Sequence, residues 1–440
     1  MSSKTKTTDK KAVGKPALVP KLRFPQFREA GAWTTKTLNS VASISTEKVG
    51  DNTCIPMSIT SGVGLVSQME KYGRVIAGSS YKNYLLLKKN DFAYNKSATK
   101  AYTEGFIALY SGDELAAVPN SIFTCFRIKD DSTTPQYLNY LFLGNLHGQW
   151  LRKFIEVGAR AHGSLSIDDD DLMALPIPLP GGKFSRAEQQ KIAECLTSLD
   201  DLIAAHGRKL DALKTHKKGL MEQLFPLEGE TVPRLRYPEF QDAPEWEIKS
   251  LGDIAIFFKG KGISKAEIDP NGKQPCIRYG ELYTRYGEVI ERVYSTTNIA
   301  SSNLFLSRKN DIIIPGSGET KEDIAKASCV LSDDVAFGGD INVIRTSHNG
   351  VFLSYYLNGP KKNAIAKVAQ GHTVVHLYPS QLGLLTLAIP DAAEQMEIAD
   401  CLSSIDEMIN ALIPKLEALK THKKGLMQQL FPSPNINQRH

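Results

Sequence analysis

The chain has 440 residues, 42% of them hydrophobic, and a formal net charge of +5. A chain of this length and composition can bury two cores, which excludes a wholly disordered protein, and it contains no run of about 18 apolar residues that could cross a membrane. The mild basic excess is compatible with a polyanionic partner but is too small to identify one.

The chain begins with a basic segment, residues 1–18, in which five lysines face a single aspartate. We expect a flexible tail there, because the segment lacks the apolar stretch of a secretory signal. Six cysteines are scattered without a C-x-x-C pair, and His216 and His422 have no second ligand at metal-binding spacing. This pattern favours reduced thiols, a cytoplasmic location and no metal site.

One block of sequence occurs twice. Leu210–Pro226 returns almost unchanged as Leu416–Pro432, Ala187–Ile203 aligns with Ala393–Ile409, and each half opens on a similar phrase, VPKLRFPQF or VPRLRYPEF. Such a repeat is too long for a solenoid unit, whose period is about 20 to 50 residues, so it predicts a duplicated domain with a long helix after each copy. The predicted regions are a flexible tail at 1–18, a first variable domain at 19–181, a first helix at 182–226, a linker and second variable domain at 227–390, a second helix at 391–432, and a C-terminal tail at 433–440.

The two variable domains resemble each other only in scattered phrases. The run LKKNDFAYNKS at Leu87–Ser97 matches LSRKNDIIIPGS at Leu306–Ser317, whereas most intervening residues differ. We predict α+β domains that share a framework. Divergent domains on a duplicated scaffold are expected of a protein that reads two targets at a fixed separation, although duplication followed by drift gives the same pattern.

Both long helices carry apolar residues at heptad spacing, which predicts a pair of long antiparallel coiled-coil helices related by a pseudo-twofold axis. The first helix would span roughly 58 Å at about 1.5 Å per residue. Gly207 should weaken it, and Pro414 should kink the second helix. An ordinary helical hairpin is the alternative. The predicted packing residues are Ile192, Leu196, Leu199, Ile203, Leu210, Leu213, Leu220 and Leu224 in the first helix, and Ile398, Leu402, Ile405, Ile409, Leu412, Leu416, Leu419, Leu426 and Leu430 in the second.

A pair of lysines lies in the last third of each helix, within THKKGL at Thr215–Leu220 and at Thr421–Leu426. Two interpretations remain open. The lysines are either a solvated face that complements the helix dipole, or a surface for DNA phosphate or a partner subunit.

The repeated helices, the divergent domains and their shared phrases together resemble the specificity subunit of type I restriction–modification systems. The resemblance covers nearly all of the chain from Val19 to Pro432, and it includes Phe258–Ile268, Ser307–Ala327 and Ala369–Tyr378. It implies two target recognition domains that each read one half of a split, asymmetric site in double-stranded DNA. It also implies helices that set the spacer between the half-sites and dock two methyltransferase subunits.

The same resemblance implies a host-defence protein that catalyses no reaction itself. S-adenosylmethionine, ATP and Mg²⁺ are then expected only on the partner subunits, which are the methyltransferases and, in the full complex, the restriction subunits that translocate DNA. A free-standing DNA-binding regulator without such partners is the alternative.

Sequence reading needs hydrogen-bonding side chains at base edges and cations at phosphates. In the second domain, a glycine-spaced basic loop holds Lys259 and Lys261, and other polar side chains follow strand-like runs. The predicted DNA contacts are Ser58, Thr60, Ser61, Gln68, Tyr94, Asn95, Lys96, Ser97, Lys100, Arg160 and His162 in the first domain, and Lys259, Lys261, Arg278, Tyr279, Ser317, Glu319, Thr320, Lys321, Gln370 and His372 in the second.

Enzymatic alternatives fit the sequence poorly. Asp311, Glu319 and Lys321 have the order of a metal-dependent nuclease, but Gly316 and Gly318 interrupt the strand that should carry the last two. No methyltransferase loop and no P-loop is present. The sequence therefore predicts a recognition subunit without catalytic residues.

Overall fold

The computed structural model describes residues 18–60, 62–155, 165–371 and 374–432. Most of the predicted N-terminal tail, the predicted C-terminal tail and the candidate residues Ser61, Arg160, His162 and His372 lie outside this description. In the described part of the chain, no helix is both long and apolar enough to span a membrane.

The described residues form two compact units. Unit 1 comprises residues up to 205 and from 417 onward, and unit 2 comprises residues 206–416. Each unit therefore contains one variable domain, the first part of the helix that follows it, and the last part of the other long helix. The predicted α+β class with two duplicated domains is confirmed.

In its described residues, domain 1, the variable domain of unit 1, contains ten strands and five short helices, followed by the first long helix. The strands are β1 (Thr34–Thr37), β2 (Ala42–Ser45), β3 (Ile55–Thr60), β4 (Gly64–Ser67), β5 (Leu85–Leu87), β6 (Phe92–Asn95), β7 (Phe106–Leu109), β8 (Ala116–Val118), β9 (Phe123–Ile128) and β10 (Pro176–Leu179). The helices are α1 (Leu38–Val41), α2 (Gln68–Tyr72), α3 (Pro135–Leu143), α4 (Leu146–Leu151), α5 (Asp169–Met173) and the long α6 (Ser185–Gln223).

Domain 2, the variable domain of unit 2, repeats this plan. Its strands are β11 (Glu247–Ser250), β12 (Ala255–Lys259), β13 (Gln274–Ile277), β14 (Val289–Ile290), β15 (Ser295–Thr297), β16 (Phe305–Leu306), β17 (Asp311–Pro315), β18 (Ser317–Gly318), β19 (Ser328–Val330), β20 (Ala336–Phe337), β21 (Ile341–Thr346), β22 (Val375–His376) and β23 (Thr386–Ile389). The helices are α7 (Leu251–Ile254), α8 (Tyr279–Thr284), α9 (Lys321–Ile324), α10 (Gly350–Asn358), α11 (Lys362–Val368), α12 (Pro379–Gly383) and the long α13 (Ala392–Leu430).

The sheets of the two domains have corresponding strand orders. The central sheet is β2-β9-β6-β7 in domain 1 and β12-β21-β17-β19-β14 in domain 2, and a two-stranded ladder, β1-β10 or β11-β23, joins the ends of each domain. The second sheets are β4-β3-β8-β5 and β15-β13-β20-β16. The central strands β6 and β17 are buried along their whole length, which explains why FAYN and DIIIP lack the alternation of a half-exposed strand.

The segments that open each half connect the domain to the start of its helix. The Arg23 guanidinium donates two hydrogen bonds of 2.7 Å to Glu188 of α6, and the Trp33 indole donates a third of 3.3 Å. In unit 2, Arg236 donates to Glu394 of α13 at 2.8 and 2.7 Å. Both carboxylates are buried, so they need these donors. The repeated phrases are therefore structural.

The long helices each run for 39 residues without a break. Gly207 was expected to weaken its helix and Pro414 to kink its helix, and neither residue ends it. Pro414 removes one backbone donor, but Ile409 and Leu412, just before it, are buried against Leu210 in the same unit. Tertiary packing of this kind stabilises a helix more than local propensity does.

Within each unit the two helical segments run antiparallel. In unit 2, Leu210 packs near Leu412 whereas Lys217 pairs with Asp406, so rising numbers in one helix meet falling numbers in the other. None of the predicted packing residues is exposed. Those that are buried are Ile192, Leu196, Leu210, Leu224, Ile398, Leu402, Ile405, Ile409, Leu412 and Leu430, and those that are partly buried are Leu199, Ile203, Leu213, Leu220, Leu416, Leu419 and Leu426.

Candidate DNA interface

An ion pair stands at the same place in both central sheets. Asp91 accepts hydrogen bonds from Arg127 at 2.6 and 2.7 Å, and Asp311 accepts them from Arg345 at 2.8 and 2.6 Å. Both aspartates are buried. The hydrogen bonds to Asp91 raise the pKa of Arg127, and those to Asp311 raise the pKa of Arg345, so the guanidinium groups stay charged. The shared phrase KND therefore belongs to the framework.

This ion pair opposes the nuclease alternative. Asp311 is occupied by Arg345, whereas Glu319 and Lys321 are exposed beyond β18. Thr320 caps α9 by accepting the Asp323 N–H at 3.1 Å. Within the described ranges, no group of three or more His, Cys, Asp or Glu side chains could hold a metal ion.

The basic loop of domain 2 is held rigidly by its backbone. The Gly260 N–H donates to the Ile341 carbonyl at 2.9 Å, and a Cβ on Gly260 would collide with the Gly338 carbonyl. Only glycine fits this position. The loop thereby presents two exposed cations, Lys259 and Lys261, from a fixed backbone.

Arg278 and Tyr279 lie beside this loop, because the Gly338 N–H donates to the Ile277 carbonyl at 2.8 Å. Tyr279 is 41% exposed. The Nε of Arg278 is buried without a hydrogen-bond partner among the described residues.

A short ladder completes the same edge. Ser317 of β18 pairs with His376 of β22, and Gln370 exchanges backbone hydrogen bonds of 2.9 and 2.7 Å with His376. Ser317 is buried, and its hydroxyl donates to the Asp340 carboxylate. Asp340 follows Gly339, whose N–H donates to the Gly262 carbonyl of the basic loop at 2.8 Å. We call the continuous surface the polar edge of domain 2; its members are Lys259, Lys261, Arg278, Tyr279, Asp340, Gln370 and His376.

Domain 1 presents a different surface, which we call the hairpin edge; it consists of Ser58, Thr60, Val63, Lys71 and Tyr72. The Ser58 hydroxyl lies 3.2 Å from the Tyr72 hydroxyl and 3.3 Å from Lys71 Nζ. The hydrogen bond with Ser58 and the nearby Lys71 lower the pKa of Tyr72. Val63 at the tip is 73% exposed. An aromatic ring, a cation and an exposed apolar tip occur together here, as at many nucleic-acid interfaces.

The remaining predicted residues of domain 1 follow β6. Lys96 lies 3.4 Å from Asp169, and Ser97 is partly buried, whereas Lys100 is exposed. Of these residues, Lys100 is the one that could approach DNA without losing a contact to another described residue.

Three predicted contact residues of domain 1 are buried in the fold, as Ser317 is in domain 2. The side-chain oxygen of Gln68 accepts from the backbone N–H groups of Ile76 and Ala77, at 2.8 and 3.0 Å. Tyr94 is fully buried and donates to the Glu104 carbonyl at 2.9 Å, while Asn95 accepts from the next turn. Burial opposes their assignment as DNA contacts. Each side chain bonds a backbone group inside the domain, which its polarity alone could not reveal.

Sequence reasoning missed Lys71, Tyr72, Asp340 and His376. Lys71 and Tyr72 form an adjacent cation–aromatic pair, a signal that was available in the sequence. Asp340 and His376 carry no such signal, because the folded sheet alone brings them beside the basic loop.

Comparisons with known proteins also find two similar domains in this chain. The sequence matches the family described as the type I restriction modification DNA specificity domain twice, at residues 32–215 and 244–420. A protein assigned as the MjaX type I restriction enzyme specificity subunit of Methanocaldococcus jannaschii is 25% identical over 329 residues, covering 74% of each chain. The MjaVIII specificity subunit of the same organism is 24% identical over 292 residues, covering 63% of this chain and 66% of the relative.

Solved structures show the same fold. The S subunit of a type I restriction–modification system from M. genitalium superposes with a TM-score of 0.57 at 16% identity, covering 95% of this chain and 100% of that chain. A chain from a structure concerned with assembly and conformational transition of the type I R-M system gives a TM-score of 0.50 at 15% identity, covering 91% and 97%.

The fold and the two exposed edges define a protein with two recognition domains on a duplicated helical scaffold. Because both family matches together span most of its length, the chain belongs to the type I restriction modification DNA specificity family. Its function is DNA sequence recognition as a specificity subunit, the non-catalytic component of a type I restriction–modification complex. A free-standing regulator is not favoured.

Proposed function

We propose that each domain reads one half of a bipartite, asymmetric DNA site, the hairpin edge in domain 1 and the polar edge in domain 2. The observation that carries this proposal is the contrast between a shared framework and unlike exposed edges. A cation on a fixed loop suits phosphate, whereas Arg278 and Gln370 have the donors and acceptors needed at base edges. Different edges on one framework would recognise different base sequences.

The long helices set the number of base pairs between the half-sites and dock two methyltransferase subunits in the cytoplasm. Support comes from the near-identical helical repeats, which offer the same surface twice. S-adenosylmethionine binds to the methyltransferase subunits, and ATP and Mg²⁺ bind to restriction subunits when these join the complex. In this arrangement the chain supplies sequence recognition and the partners supply chemistry.

Lengthening both helices tests the spacer. One heptad inserted after Ala212 and one after Ala418 preserves the apolar seam and adds about 10 Å. The preferred spacer should grow by about three base pairs while the specified bases stay the same, because each base pair rises roughly 3.4 Å. Mapping methylated sites in cells that express the variant with its methyltransferase partners measures both quantities.

A matched control carries seven residues added after His440, which lengthens the chain but neither helix. It should leave the spacer unchanged. If the helical insertion yields an active complex with the original spacer, the helices do not set the distance.

A further inference from the structure

The two lysines of each THKKGL run have different environments. In unit 1, Lys423 Nζ lies 2.5 and 2.7 Å from the two carboxylate oxygens of Asp200, and its side chain is 16% exposed. The next lysine, Lys424, is exposed. The first lysine of the pair is therefore internal, and the second faces outward.

Tyr140 completes this cluster. Its hydroxyl donates to Asp200 at 2.9 Å, and its ring lies beneath Lys423 Nζ, with 5.2 Å between the nitrogen and the ring centroid. Burial raises the pKa of Tyr140, so the phenol keeps its proton and remains a donor. One residue of domain 1, one of α6 and one of α13 thus meet within unit 1.

Unit 2 contains a corresponding cluster, formed by the equivalent residues of domain 2 and of the two long helices. Lys217 Nζ lies 2.8 Å from Asp406, the Tyr355 hydroxyl donates to Asp406 at 2.6 Å, and the Tyr355 ring centroid lies 5.0 Å from Lys217 Nζ. Glu288 adds a second carboxylate 3.0 Å from Lys217. The exposed neighbour is Lys218, at 81%.

Both internal lysines occupy positions where the heptad seam would otherwise hold an apolar residue. Leu213 and Leu220 lie one step before and after Lys217, and Leu419 and Leu426 flank Lys423 in the same way. An apolar seam shifted by one heptad still buries apolar residues, because hydrophobic contacts are non-directional. A shift would separate each lysine from its aspartate and tyrosine, so only one register satisfies both clusters.

The spacing along the chain is the same in both helices. Asp200 precedes Lys217 by 17 residues, and Asp406 precedes Lys423 by 17 residues (217 − 200 and 423 − 406). Each helix therefore carries one aspartate for its own domain and one lysine for the other domain at an equal interval.

We propose that Tyr140–Asp200–Lys423 and Tyr355–Asp406–Lys217 are register clusters that select one alignment of the antiparallel helices and thereby one spacer length in the DNA site. The proposal rests on the proposed function, because it concerns the spacer between two half-sites. The six residues are positioning residues, and none of them is required to touch DNA.

The decisive variant replaces Lys217 and Lys423 with Leu, and Asp200 and Asp406 with Ala, so that the seam becomes continuous and neither aspartate is left without its lysine. Glu288 also loses Lys217, but its side chain is 23% exposed and keeps access to solvent. It is assembled with its methyltransferase partners and tested on duplexes that carry the two wild-type half-sites at every spacer from several base pairs shorter to several longer. The preference for the wild-type spacer over the next best should fall by about tenfold or more, equivalent to roughly 1.4 kcal/mol. The matched control, Lys218→Leu with Lys424→Leu, should keep the wild-type preference.

A folded variant that binds both half-sites and keeps the wild-type spacer preference would overturn the proposal. The apolar residues of the helices would then be sufficient to fix their register. If neither the wild type nor the control bound these half-sites in a sequence-specific way, the proposed function would be contradicted instead.

If the fourfold variant does not fold, a charge exchange in the Tyr140–Asp200–Lys423 cluster of unit 1 tests the proposal instead. This cluster is the simpler one to exchange, because it has no counterpart of Glu288 among the described residues. Lys423→Asp alone should broaden the spacer preference, and Lys423→Asp with Asp200→Lys should narrow it again. Failure of the exchange to restore the preference in a folded protein would contradict the proposal.

Discussion

Domain 1 and domain 2 hold their sheets with the same charged side chains but expose different ones. Asp91–Arg127 in domain 1 corresponds to Asp311–Arg345 in domain 2, and Arg23–Glu188 corresponds to Arg236–Glu394. The hairpin edge has an apolar tip beside a lysine and a tyrosine, whereas the polar edge has two lysines, an arginine and a histidine. The proposed function, in which one framework carries two different readers, accounts for this difference.

The largest expected effect is a loss of stability when the buried glutamate of either framework ion pair is removed, and the loss should be equal in the two units. Glu188→Ala and Glu394→Ala each leave a buried arginine without its carboxylate, which should lower the free energy of unfolding by about 3 to 5 kcal/mol. Urea denaturation monitored by circular dichroism measures it. Lys82→Ala removes an exposed ion pair with Asp51 and should cause no measurable change. A large loss for one glutamate and none for the other would break the comparison.

The stability of domain 1 should depend on pH through its buried His147. Burial lowers the pKa of His147 from 6.5 to about 4, so the folded domain keeps this imidazole neutral. As pH falls from about 6.5 towards 4, the unfolded chain takes up the proton first, and stability present above pH 6.5 is lost. The loss should be about 3 kcal/mol.

The measurement compares unfolding of the wild type and His147→Met at intervals between pH 7 and pH 4. The unfolding free energy of the wild type minus that of the variant should decrease as the pH falls, because only the wild type loses this contribution. A constant difference across that range would contradict the assignment to His147.

The smallest expected effect concerns the basic loop of domain 2. Lys259→Ala with Lys261→Ala should weaken binding to all DNA sequences alike and reduce the slope of log affinity against log salt by about 0.9 for each lost phosphate contact. Affinities at several salt concentrations give the slope. An unchanged slope with altered base preference would show that these lysines read bases instead of phosphates.

The sequence repeat predicted the duplicated domains and the long helices, because apolar heptads and near-identical runs are properties of the chain itself. Polar residues beside strand-like runs gave Lys259, Lys261, Arg278 and Gln370 as candidate DNA contacts, and these four lie on one surface. The sequence could not show that Tyr94, unlike these four residues, is buried, because burial depends on the neighbouring strands. Asp340 likewise reaches the edge only through pairing of distant segments.

In the proposed function, each domain reads its own half-site independently of the other. Replacing Leu38–Pro180 with the corresponding domain of a relative retains Arg23, Trp33 and Glu188, which connect domain 1 to α6. Methylated sites are then mapped with the methyltransferase partners present. One half of the recognised site should change while the other half and the spacer stay the same. A simultaneous change in both halves would contradict the account.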